Sequence, residues 1–192
     1  MKNETISQAS LNQKASPSRG GLEGPLTEHF TLGEMTKTST GLPNVPNEAQ
    51  VKNLIRLCSW LEMLRDEWNR RYSLPLTPPK EGSSKNLSTS ANEKDDGDPI
   101  IVTSGFRSPA VNKAVGGVST SNHLTGCAAD IRVAGMEEAL RKAVILLDIS
   151  DESGEDFDEL LIERNQRGSY WIHFAVRPPA QGNRRKVKFI NS

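Results

Sequence analysis

Between Val51 and Trp68 the apolar residues Val51, Leu54, Ile55, Cys58, Leu61, Leu64 and Trp68 recur at three- and four-residue steps. Such spacing marks an amphipathic helix with about 3.6 residues per turn, whose apolar stripe another layer must cover. Asn47, with Gln50 three residues on, caps its start. The helix is expected to run for about five or six turns. Trp60 and Leu57 flank the stripe, so burial should spread beyond one narrow face.

The covering layer reads as a sheet. Ile100–Thr103 is short and β-branched, and Cys127 to Val133 is a second candidate strand. Leu160–Ile162 leads through a turn at Asn165–Gly168 into Trp171–Val176, a hairpin. Helices are expected around it. Thr31 and Glu34 form a capping box for a short helix ending near Thr38. Ser108-Pro109 starts a helix that ends at Val115, before Gly116-Gly117. Met136 to Leu147 is amphipathic, and an acidic loop, Asp151–Asp156, follows it. The sum is an α+β architecture, a small and mostly antiparallel sheet flanked by helices.

Only 35% of the 192 residues are apolar, lean for a packed chain of this length. Two segments account for much of the deficit. Residues 1–25 are polar and aperiodic, and 77–99 hold only Leu87 and Ala91 as apolar residues. Neither can bury enough surface to offset ordering entropy, so both read as disordered, one a tail and one an insertion. Residues 181–192, with Arg184, Arg185, Lys186 and Lys188, read as a basic C-terminal tail. Domain order is therefore expected over 26–180. The 24 basic residues balance 24 acidic ones, which argues against a nucleic-acid partner. No apolar run is long enough to span a bilayer. No apolar signal segment stands at the N-terminus, so the chain is expected to be cytoplasmic at synthesis. Cys58 and Cys127 are too few for a disulfide framework.

Of three histidines, two fall in places suited to chemistry. His123 lies in the turn-rich Ser121–Gly126, just before the strand that carries Asp130, and His173 is mid-strand in Trp171-Ile-His-Phe. Two imidazoles and a carboxylate form a standard catalytic zinc set. On spacing alone they fit either a zinc site or polar residues satisfied beside a loop. His29 reads as a capping or surface residue. Cys127 reads as a small buried thiol and Trp171 as a core or site-wall aromatic.

Three ordered motifs favour the zinc site. Ser104-Gly-Phe-Arg-Ser108, then Ser121-x-His-x-x-Gly-x-Ala-x-Asp130, then Trp171-x-His173, resemble the zinc D-Ala-D-Ala carboxypeptidase family. That family sits in a group with lysostaphin-type endopeptidases and the Hedgehog signalling domain. The resemblance runs from about Leu26 to Val176 and is greatest to small bacterial and phage peptidoglycan peptidases. It implies a Hedgehog/DD-peptidase-like fold and one Zn2+ held by His123, Asp130 and His173. It also implies cleavage of peptidoglycan stem peptides containing D-amino acids, by DD- or LD-carboxypeptidase or endopeptidase activity. Arg107 would bind a substrate carbonyl or carboxylate, and Ser121 would bond substrate or brace the site.

One position departs from the pattern. Many relatives carry a carboxylate three residues before the last histidine, where this chain has Tyr170. If the hairpin pairs odd with odd residues, Glu159, Leu161 and Glu163 share a face with His173. Glu163 is then the expected general base, with Glu159 second. A shift of one residue would turn both away. The expected protein is a monomeric zinc peptidase, acting at the cell wall if it is a phage or prophage lysin. The alternative is a catalytically impaired module of the same fold that binds peptidoglycan peptides or a partner.

Overall fold

The computed structural model describes residues 24–72 and 97–191. The expected disordered tail and insertion lie outside these residues, apart from their ends at 24–25 and 97–99.

Thr31 does cap α1 (Leu32–Met35), with Oγ1 accepting from Glu34 N and Glu34 accepting from Thr31 N. Helix α2 (Glu48–Tyr72) has 25 residues and is longer than expected. Asn47 and Gln50 close a reciprocal cap at 2.7 and 2.9 Å. Leu54, Leu57, Cys58, Trp60, Leu61 and Leu64 are its buried stripe. Ile55, counted in that stripe from sequence, is 41% exposed. It lies about 100° round the helix from Leu54 and so falls off the stripe's edge, while Leu57 and Trp60 fall within it.

Strand β1 (Val102–Ser104) and helix α3 (Pro109–Ala114) follow, the latter capped by Ser108. A short 3₁₀ helix, Asn122–Thr125, leads into β2 (Ala128–Arg132). Helix α4 (Met136–Ser153) outruns the expected Leu147 and absorbs the start of the presumed acidic loop before Gly154 ends it. Strands β3 (Glu159–Arg164), β4 (Tyr170–Ala175) and β5 (Lys186–Asn191) complete the chain.

These strands form one five-stranded sheet in the order β1-β2-β4-β3-β5. All neighbours are antiparallel except β3 and β5, which run parallel. Within the basic C-terminal tail expected at 181–192, Lys186–Asn191 is thus an edge strand. Its charges are the reason it docks: Lys186 Nζ reaches Glu159 at 2.7 Å and Arg184 Nη2 reaches Asp158 at 2.6 Å. A run that looked solvated instead neutralises carboxylates at the start of β3.

Strand alternation divides the sheet. Ala129, Ile131, Leu160, Ile162, Ile172 and Phe174 join the core beneath α2 and α4, where Phe174 packs at 5.5 Å from Trp60 and 5.7 Å from Phe157. The intervening residues face the other way. Leu161 pairs with His173, and Asp130 pairs with His173 from the opposite neighbour. The odd-with-odd register is the one expected, and it gathers the polar residues on the face turned away from the core beneath α2 and α4.

Candidate metal centre

Each of the three expected ligands comes from a different piece of chain. His123 is in the 3₁₀ helix, whose N-cap Ser121 accepts a bond from His123 N at 3.3 Å. Gly126 ends that helix with φ 73°, a left-handed conformation that suits glycine, and an added Cβ would lie 2.6 Å from Gln50 O. Asp130 is mid-β2 and His173 mid-β4, brought opposite each other by the ladder.

The side chains converge tightly. His123 Nε2 is 3.2 Å from Asp130 Oδ1 and 3.2 Å from His173 Nδ1, and the last two are 3.0 Å apart. Four donors at about 2.05 Å around a tetrahedral zinc stand about 3.3 Å from one another, so these three atoms already mark one face of that tetrahedron. Protonation points the same way. His123 Nδ1 faces Gly105 O at 2.6 Å, and a carbonyl can only accept, so Nδ1 carries the hydrogen. Nε2 is left to face the Asp130 carboxylate and the second imidazole, the pose of a metal-ligating histidine whose other nitrogen is fixed by a carbonyl.

The surroundings hold these ligands in place. Gly105 presses against Met35 O, where a Cβ would collide, and the next residue's amide, Phe106 N, donates to the same oxygen at 2.7 Å. Buried Asn44 donates to Phe106 O and Thr36 O, both at 2.8 Å, and accepts from Ser108 N at 2.6 Å. Arg107 N donates to His123 O at 3.1 Å. The Arg107 guanidinium bonds Asp130 Oδ2 through Nη2 and Ser104 Oγ through Nε, the latter at 2.8 Å. Burial opposes ionisation of Asp130, yet the two imidazoles hold its carboxyl well below the usual range. Burial likewise opposes a charge on His173, but Asp130 and Glu159 outweigh it and raise the pKa to about 9.

The two glutamates differ in their freedom. Glu159 Oε2 lies 3.6 Å from His173 Nε2 and accepts from Asn122 Nδ2 at 3.1 Å, while its other oxygen accepts from Lys186. His173 leads the causes that hold its carboxyl low. Glu163 has no hydrogen-bond or ion-pair partner among the described residues. Burial raises its pKa, with His173 working against that and Asp130 adding to it. Both glutamates line a cleft of ≈ 870 Å³ with Arg107, Ser121 and the three ligands. Tyr170 is on the opposite face, under the Arg164 guanidinium at 5.7 Å.

Residues 83–156 match the family model of peptidase M15. The peptidase M15 match begins among residues outside the described ones and covers less than half of the chain. It includes Ser104–Ser108, His123 and Asp130 and stops before His173. It supports the resemblance to zinc D-Ala-D-Ala carboxypeptidases that the three motifs carry, and with it a peptidase. No curated protein matches the chain.

Elsewhere, His29 pairs with Glu62 of α2 at 2.7 Å and stands apart from this cluster. Cys127 is a buried free thiol, and Trp171 lines the cleft. Sequence reasoning missed Asn44, Asn122, Asp158 and Arg177. They are lone polar residues buried or half-buried through long-range contacts, and no local spacing announces them. Among the described residues, no helix is long and apolar enough to cross a membrane.

Proposed function

We propose that the chain is a zinc-dependent peptidase that hydrolyses peptide bonds in peptidoglycan stem peptides, as a DD- or LD-carboxypeptidase or an endolysin-like endopeptidase. Such a substrate puts its action at the cell wall. The observation that carries this reading is the convergence of His123 Nε2, Asp130 Oδ1 and His173 Nδ1 at 3.0–3.2 Å. Those three atoms would hold the metal. When bound, zinc supplies a Lewis acid for the scissile carbonyl and makes a water nucleophilic near neutral pH.

The remaining steps belong to the protein. Glu163, without a hydrogen-bond or ion-pair partner among the described residues and lining the cleft, would take a proton from the attacking water on a carboxylate oxygen and pass it to the leaving amine. Its raised pKa helps it keep that proton between the two transfers. Arg107 is held by Nε and Nη2 and keeps Nη1 for a substrate carbonyl or carboxylate. Ser121 Oγ accepts from His123 N and retains its own proton for a substrate acceptor. Glu159 would orient His173 from behind, as carboxylates commonly do for metal-bound imidazoles.

The test is incubation of the purified chain with muropeptides, with and without a chelator, and product analysis by mass spectrometry. New chelator-sensitive peptide products are expected. Binding of muropeptides with no such product, in zinc-containing buffer, would show the impaired binding module instead.

A further inference from the structure

We propose that Arg177, backed by Arg184, forms a carboxylate-binding subsite in the same cleft, so that the favoured substrate presents a free carboxylate near the bond that is cut. The identity of the ligand rests on the peptidase reading above; the position of the subsite rests on contacts of its own.

Those contacts start from Asp158, which is fully buried. Its two oxygens accept from Arg184 Nε at 2.7 Å, Arg184 Nη2 at 2.6 Å and Asn122 Nδ2 at 2.8 Å, and Arg177 Nε lies 3.0 Å away as an ion-pair partner. Asn122 Oδ1 accepts from the same Arg177 Nε at 3.0 Å. Arg177 is therefore gripped through Nε alone. Its Nη1 and Nη2 make no hydrogen bond among the described residues, and its side chain lines the cleft and is 25% exposed. Two terminal donors on a rigid planar fork match the two oxygens of a carboxylate.

Asn122 fixes this fork relative to the metal ligands. It precedes His123 in the chain, and its Nδ2 also reaches Glu159 Oε2, the oxygen 3.6 Å from His173 Nε2. Only Asn122 and Glu159 separate the Arg177 guanidinium from a metal ligand. The local charge is favourable too: Arg177, Arg184 and Lys186 stand against Asp158 and Glu159, which leaves one cation in excess for an incoming anion. Burying a carboxylate to hold two arginines adds little stability over apolar packing. What it does achieve is a guanidinium set in one orientation at the cleft wall.

The carboxylate could be the C-terminal one of the stem peptide or one borne by an internal D-glutamate, and three synthetic pentapeptides ending in D-Ala-D-Ala separate the two. One is the free acid, one its C-terminal amide, and one carries the internal D-glutamate as isoglutamine. Affinities would be measured by calorimetry on the full chain stripped of metal, alongside kcat/KM on the zinc-loaded chain. One of the two amidations should weaken binding about tenfold, the scale of a lost charge-assisted pair. In Arg177→Gln the discrimination should vanish while zinc content stays that of the native chain. Should Arg177→Gln fail to fold, Arg177→Lys carries the test, since it keeps a charge beside Asp158 but lacks the fork, and discrimination should still fall.

Equal affinities for all three peptides in the native chain, or an unchanged ratio in Arg177→Lys, would overturn the subsite. Turnover without discrimination removes the subsite and leaves the peptidase reading standing. Discrimination without turnover of any peptide keeps the subsite and removes the peptidase reading.

Discussion

Glu159 and Glu163 stand on the same face of β3, one on each side of Leu161, and Leu161 pairs directly with His173. They are thus near-symmetric neighbours of one imidazole, yet their bonding is not symmetric. Glu159 is committed to Asn122, Lys186 and Arg184, whereas Glu163 lines the cleft without a partner among the described residues. A group whose lone pairs are all engaged makes a poor proton shuttle, and one left free in a cleft makes a better one.

This asymmetry separates two variants. Glu163→Gln should lower kcat by about 10²–10⁴-fold, the usual reach of general acid–base catalysis, with zinc content unchanged. Glu159→Gln should act on the metal, weakening its affinity by about 10–100-fold through the loosened His173. Steady-state kinetics and metal analysis on both proteins check this. Full activity in Glu163→Gln would remove the base assignment.

Metal removal should be equally informative. A chelator should abolish turnover, and added zinc should restore it. Because a ligand that binds only the folded state stabilises it by mass action, zinc should also raise the melting temperature of the native chain. In His123→Ala, where one of the three converging atoms is gone, zinc should give no such rise. Differential scanning fluorimetry with and without zinc reads this directly.

Much of the site was legible because its signals are local. The turn-rich stretch before β2, the alternation of β4 and the position of Glu163 all follow from short-range pattern, and parity placed both glutamates beside His173. What escaped is held by distant contacts. Asn44 latches the Ser104–Ser108 loop from some sixty positions earlier, and Asp158 joins Asn122 to Arg184 across the sheet edge. The strand β5 was obscured by its own charge. Lys186, Lys188 and the arginines before them look solvated in isolation, and it is the ladder with β3 and the distant carboxylates Asp158 and Glu159, which meet Arg184 and Lys186, that place the segment in the sheet.

Asp158 predicts an acid-sensitive fold. Burial would raise its pKa, but the hydrogen bonds from Arg184 and Asn122 outweigh that and lower it. A carboxyl depressed in the folded state adds stability above its unfolded pKa of about 4, and that stability is lost as pH falls toward the folded value. Asp158→Asn should cost about 3 kcal/mol at pH 7, the low end for a broken buried pair because both arginines still reach solvent. Urea unfolding at pH 7 and pH 3 should show the gap between native and variant narrowing at the lower pH. A constant gap would mean that Asp158 acts by packing and not by charge.

Gly105 offers the sharpest link from backbone to metal. Its carbonyl fixes the His123 ring, and a Cβ added to it would collide with the Met35 backbone, so any side chain must push the two segments apart. Gly105→Ala should therefore cost about 1–3 kcal/mol, the range for overpacking a tight contact. It should also turn His123 away from Asp130 and His173, so zinc affinity should fall together with stability. Gly135→Ala is the control, since a Cβ there meets nothing within 4 Å. Zinc titration and thermal melting of both variants would distinguish a loss confined to packing from one transmitted to the ligand, and an unchanged zinc affinity in Gly105→Ala would show that His123 does not depend on that carbonyl.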